Sequence, residues 1–208
     1  MISAAPARPW TPRLLLAIAL AAPSAALGQS SGAGAPFGLV WDASASTIEG
    51  LGINLSKVEQ GDFGVSYAAS NLPKTLSDVS TVFLSVGHDD RLWRVVAVSR
   101  DFERDGYGTA VRSRYDELKA TLAARYGSPK EFESLSSDDY YRQPDNFIYG
   151  IYSNENYWGA AFETLELRLE LSIDASGTSD SYWRVVYVNK AGETAFEAQH
   201  TDVEADVL

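Results

Sequence analysis

The chain has 208 residues, no cysteine, and 28 acidic against 17 basic residues, for a formal charge of −11. That balance repels nucleic acid and anionic lipid. The lack of cysteine excludes a disulfide-stapled domain and any thiolate site, and two histidines are too few for a multi-histidine metal centre.

Residues 1–28 read as a signal peptide. Arg8 and Arg13 precede an apolar run from Leu14 to Leu27, and Ala26-Leu27-Gly28 supplies small residues where a signal peptidase cleaves. The run is short for a membrane span of about 20 residues, no second apolar segment follows, and Gln29 stands where a lipoprotein carries cysteine. The expectation is a bacterial periplasmic or secreted protein with no membrane span after signal removal. Removal takes two arginines and no acid, so the basic residues fall from 17 to 15 against 28 acidic ones, a mature charge of −13. Such a surface favours solubility, and it would also attract a cationic partner.

Residues 29–36, rich in Ser, Gly and Ala, read as a flexible leader. The expected domain spans 37–189, with candidate halves 37–104 and 105–189. Asp42 or Ser44 can cap a short helix carrying Ile48 and Leu51 on one side. Phe63 to Ala69 reads as a strand. Thr81–Val86 and Arg91–Ser99 form a hairpin around Gly87-His88-Asp89-Asp90. Pairing Val86 with Arg91 sets Leu84 opposite Trp93 and Val82 opposite Val95, all on one face. Tyr107 to Tyr126 is the long amphipathic helix, with Val111, Tyr115, Leu118 and Leu122 in one stripe and Gly127 with Pro129 as its stop.

Beyond the helix, Glu131 to Leu135 reads as a strand, and Phe147–Tyr152 with Tyr157–Phe162 as a second hairpin. Leu165, Leu167, Leu169, Leu171 and Ile173 alternate with polar residues, the period of a half-buried strand, and Ser181–Asn189 returns beside it. Residues 190–208 read as an acidic tail with no assigned structure.

Trp93-Arg94-Val95-Val96-Ala97-Val98 and Trp183-Arg184-Val185-Val186-Tyr187-Val188 share five of six residues at an offset of 90. A tandem duplication of a helix-then-meander unit accounts for this, as does coincidence between two β-rich strands. Either way the fold class is α+β, an antiparallel sheet with helices packed on one face.

Asp101-Phe102-Glu103-Arg104-Asp105-Gly106 opens like a calcium loop, but Arg112 stands where the bidentate Glu belongs, and an acidic start to the helix explains it better. No metal site and no cofactor are expected. His88 reads as part of a solvated turn. Arg94 and Arg184 occupy equivalent positions, each facing away from its neighbouring Trp. With Ile173 opposite Trp183, Arg184 lies across from Ser172 with Glu170 diagonal to it, so both an ion pair and a binding role are open. The stretch 140–162 holds five of the 11 tyrosines. Tyr140, Tyr141, Tyr157 and Trp158 are its candidate recognition residues, because Tyr and Trp give large contact area at low entropic cost.

Phe37-Gly38-Leu39-Val40-Trp41, Ile48-Glu49-Gly50-Leu51-Gly52 and the helix end Leu118 to Pro129 resemble uncharacterised exported bacterial proteins of the domain-of-unknown-function kind. The duplicated layout also looks like that of the β-lactamase inhibitor protein and of small outer-membrane assembly lipoproteins. This chain lacks the inhibitor's cysteines and the lipidated cysteine, so neither activity is carried over. The expected function is non-catalytic binding of an envelope component, a protein before a glycan. The alternatives are inhibition of a cationic secreted enzyme, which steep salt dependence would mark, and glycan hydrolysis by a carboxylate pair, which requires two converging acids in a cleft.

Overall fold

The computed structural model describes residues 34–61 and 63–205; the stretch read as a signal peptide and the start of the leader lie outside them. The last leader residues belong to the fold. Gly34 bridges Val40, and Ala35 is buried, its N–H bonded to Leu39 O at 3.0 Å.

The short first helix, α1 (Ala45–Gly50), forms because the Ser44 hydroxyl accepts the Thr47 N–H at 3.1 Å. Ile48 is buried beneath it, whereas Leu51, expected on the same side, is 54% exposed. Four strands follow: β1 (Asn54–Gly61), β2 (Gly64–Ser70), β3 (Val79–Val86) and β4 (Leu92–Ser99). β1 was unassigned by sequence, because its residues are nearly all exposed and show no alternation. It pairs with β2 through a bulge between Lys57 and Glu59.

The long helix α2 (Thr109–Tyr126) buries Val111, Tyr115, Leu118 and Leu122 as its spacing predicts, each worth roughly 2 kcal/mol. Its first turn is held by the Asp105 carboxylate, which accepts the Ala110 N–H at 2.7 Å. Gly127, at φ 94°, ends it. The second half then runs β5 (Lys130–Glu131), α3 (Asp139–Arg142), α4 (Phe147–Tyr152), β6 (Gly159–Glu163), β7 (Leu167–Ala175), β8 (Ser181–Asn189) and α5 (Lys190–Ala205).

Three expectations are corrected here. Phe147–Tyr152 is a helix, not a hairpin strand: Phe147, Ile148 and Ile151 are buried at helical spacing. Gly150 meets the Asn156 side chain so closely that no Cβ would fit. The alternating strand starts at Leu167, leaving Leu165 97% exposed in the preceding turn. The acidic tail is helical to Ala205, because Asn189 accepts the Ala191 N–H at 3.2 Å as a cap and Phe196 is buried.

The eight strands form one antiparallel sheet in the order β1-β2-β3-β4-β8-β7-β6-β5, so the α+β reading holds. The order is the same read from either edge inward, with β4 and β8 at the centre. There the two hexapeptide copies pair with each other, Val96 opposite Val186, which are counterparts at the offset of 90. The inner face carries Val82, Leu84, Val95, Ala97, Leu169, Leu171, Trp183 and Val185, covered by α1, α2 and α4 in one core. On the outer face α5 lays Phe196 against Trp93 and Val188. Its close approach needs Gly192, where a Cβ would come within 2.7 Å of Trp93 Cβ. Among the described residues no helix is long and apolar enough to cross a membrane.

The central hairpin register also differs from expectation. Val86 pairs with Leu92, Leu84 with Val95 and Val82 with Ala97, across a bulge between Ser85 and Val86. Trp93 is the additional residue in that bulge, and it turns to the outer face instead of joining Leu84.

Candidate functional site

The outer-face cleft gathers both arginines singled out by sequence. It encloses about 230 Å³ between Arg94 and Trp93 of β4, Arg184, Val186 and Val188 of β8, Arg168 and Glu170 of β7, Glu193 of α5, and Phe63 from the β1–β2 turn. Alternation along β7 and β8 sends these side chains outward. Ile173 pairs with Trp183 and Ser172 with Arg184, as expected. The ion-pair partner of Arg184 is Asp174, not Glu170: Nε lies 2.8 Å from Oδ2. The N–H is not aimed at that oxygen, so the contact is coulombic rather than a hydrogen bond. Arg168 is held by Glu193 at 2.6 Å.

Arg94 is different. It is half-buried, its guanidinium sits 4.4 Å from the Phe63 ring centroid, and among the described residues no carboxylate pairs with it. Burial and the neighbouring Arg184 charge both work against its proton, with Glu170 and Glu193 opposing them at longer range. A guanidinium keeps its proton at neutral pH all the same, so Arg94 is a partly desolvated cation.

The aromatic candidates lie elsewhere. Tyr140 and Tyr141 of α3 pack edge to face at 5.4 Å, and both contact Tyr149. Trp158 is wedged against Phe147 at 5.4 Å with Arg112 over its ring at 4.9 Å, which makes it part of the inner layer. Buried Asn156 fixes this region, donating to Tyr141 O and accepting the Ser136 N–H. Tyr140 is 53% exposed, and Tyr157, bridged to Ser134 at the sheet edge, is 56% exposed. The two groups of candidates are therefore on opposite sides of the sheet. Tyr141 and Trp158 spend much of their surface on neighbouring rings, whereas Tyr140 stays exposed.

His88 lies exposed in the turn between β3 and β4, as expected, but its ring has partners. His88 stacks on Phe196 at 5.2 Å and on His200 at 5.8 Å, continuing the Trp93–Phe196 stack beside the cleft. The acids of the calcium-like turn hold loops, Asp105 capping α2 and Asp101 accepting from the Ser176 hydroxyl. Among the described residues no cluster of three or more His, Asp or Glu could hold a metal.

Sequence reasoning missed Phe63 and Glu193 as lining residues. Phe63 was read only as the start of a strand, and Glu193 sits in a helix assigned to the tail. The signal for Glu193 was present in Asn189, a cap residue four positions ahead of an acid in the first turn. No family model, curated protein or solved structure matches this chain.

Proposed function

We propose that this chain is a non-catalytic binding module for another component of a bacterial cell envelope, a protein in preference to a glycan. It would receive an acidic group of that partner in the outer-face cleft. The observation that carries the reading is Arg94: half-buried, stacked on Phe63, and with no carboxylate paired to it among the described residues. An incoming carboxylate gains a charge-assisted hydrogen bond there without first displacing an internal partner. Phe63, 48% exposed and packed against Trp93 with ring centroids 6.2 Å apart, offers aromatic contact beside it, the residue type that anchors interfaces.

Glu170 and Glu193 share the cleft, which keeps the carboxylate-pair hydrolase in view. Glycoside cleavage needs one carboxyl that holds a proton. Glu193 is instead tied to Arg168 at 2.6 Å, so one of the two acids is engaged by a cation of the cleft wall. Binding is the better reading.

Affinity capture from envelope extract tests it, comparing the native chain with Arg94→Ala and Tyr141→Ala. Arg94→Ala is expected to reduce recovery of the partner at least tenfold, while Tyr141→Ala retains it. Equal recovery with Arg94→Ala would sink the proposal.

A further inference from the structure

A second cleft lies on the inner side of the sheet and owes its existence to unequal covering of the two halves. The first half has the six-residue α1, the second the 18-residue α2. Beside α2 the inner face also carries a small residue, Ala97, at the position where its hexapeptide counterpart has Tyr187. Ala97 pairs directly with Val185. A cleft of about 230 Å³ opens above them, walled by Phe37, Leu76, Leu118, Leu122 and Tyr187, with Ala97, Val185 and Trp183 closed to solvent at its floor. Phe37 closes one lip by meeting the Tyr187 ring edge-on at 6.4 Å.

The mouth is chemically different from the walls. Thr121, Arg125 and Tyr126 of α2 border it, with the Tyr187 ring beneath. Arg125 lies over the Tyr126 ring at 5.2 Å, and among the described residues it has no carboxylate partner. Burial and the nearby Tyr126 raise the Tyr187 hydroxyl, and the Arg125 charge acts against that rise, so the cation is felt at the cleft. A basic residue in the last turn already suits the helix dipole. What sets this one apart is the apolar hole at its base.

We infer that this cleft is a binding site for a monocarboxylate with a linear apolar tail, the tail lying between Phe37, Leu76 and Tyr187 and the carboxylate on Arg125. An apolar cavity of ~150 Å³ holds a benzene molecule, so the space here takes a tail of about eight or nine carbons by the same filling. A mostly apolar lining with one or two polar groups at the rim is the ordinary composition of a small-ligand site. The site is separate from the outer-face cleft, and the inference does not depend on the function proposed for that cleft.

The test is titration of the full chain with octanoate, octanol and octylamine, followed by the methyl resonances of Leu118, Leu122 and Val185 and the indole N–H of Trp183. Octanoate should bind saturably, shift those signals, and bind at least tenfold more tightly than octylamine. Thr121→Phe, an exposed helical position, should plug the mouth and weaken octanoate at least tenfold. Arg125→Gln should bring octanoate to the affinity of octanol and leave octanol unchanged. If Thr121→Phe fails to fold, Arg125→Gln decides alone. Absence of saturable shifts, equal affinity for octylamine, or indifference of octanoate to Arg125→Gln would overturn the site.

Discussion

Strands β4 and β8 carry nearly the same hexapeptide and lie side by side, yet their tryptophans end on opposite faces of the sheet. Trp183 points inward, fully buried, and donates its indole N–H to Asp78 at 3.0 Å. Trp93 occupies the bulge against β3, turns outward with Arg94, and stacks on Phe196 at 5.0 Å. Side-chain direction in a strand depends on counting residues from the last pair, so one unpaired residue reverses it. Composition put a Trp in both strands; the bulge gave one to the core and the other to the rim of the arginine cleft.

Trp183→Ala should have the largest effect, costing about 4 kcal/mol by cavity formation and also depriving Asp78 of a bond. Trp93→Ala, in a cluster of three buried residues, should cost less, about 2–3 kcal/mol. Urea unfolding midpoints compare the two directly, and a larger loss at Trp93 would contradict the division between core and rim.

The inner tryptophan is anchored through a charge. Asp78 is buried and held by Arg114 Nε at 2.8 Å and Nη2 at 3.1 Å. Burial pushes its carboxyl up, but the bonds from Arg114 and Trp183 outweigh burial and bring it below the ordinary value. A depressed carboxyl contributes stability above its unfolded value of about 3.9 and loses it as pH falls through the folded one. Arg114→Ala leaves that buried charge with only the Trp183 N–H of its side-chain donors and should cost about 3 kcal/mol at neutral pH. In thermal melts from pH 6 to pH 2 the native chain should lose this contribution below about pH 4. The variant, with its carboxyl no longer held down, should lose less over the same range.

Gly192→Ala tests the outer tryptophan with a smaller expected effect. A Cβ at 2.7 Å from Trp93 Cβ must push α5 away from the sheet, at about 1–2 kcal/mol. Increased hydrogen exchange should appear in α5 while β7 and β8 amides stay protected. Uniform loss of protection would mean that α5 belongs to the same cooperative unit as the core.

The sequence showed the parts governed by local period and missed those governed by long-range burial. The stripe of α2, the β7–β8 register and the Ser44 cap were legible because each rests on spacing within one segment. The helix at Phe147–Tyr152 was not, since its aromatic and β-branched residues favour a strand and only contact with Asn156 and the core decides otherwise. The bulge at Trp93 was also hidden, because nothing in Ser85-Val86 or Leu92-Trp93 marks an unpaired residue. Of the candidate site, Arg94 and Arg184 were legible through the repeat, whereas Phe63 and Glu193 reach the cleft from a turn and a helix distant in sequence.

The irregularity between Lys57 and Glu59 has its own effect on how the molecule meets its neighbours. β1 is an outermost strand of eight residues, long enough to recruit another chain along its free backbone. Val58 is 57% exposed at the bulge, between Lys57 and Glu59. A kinked, charged edge offers an incoming strand a broken row of donors and acceptors. At the opposite margin β5 has only two residues. Both borders of the sheet therefore resist fibre growth, which matters for an eight-stranded sheet with no disulfide to hold it.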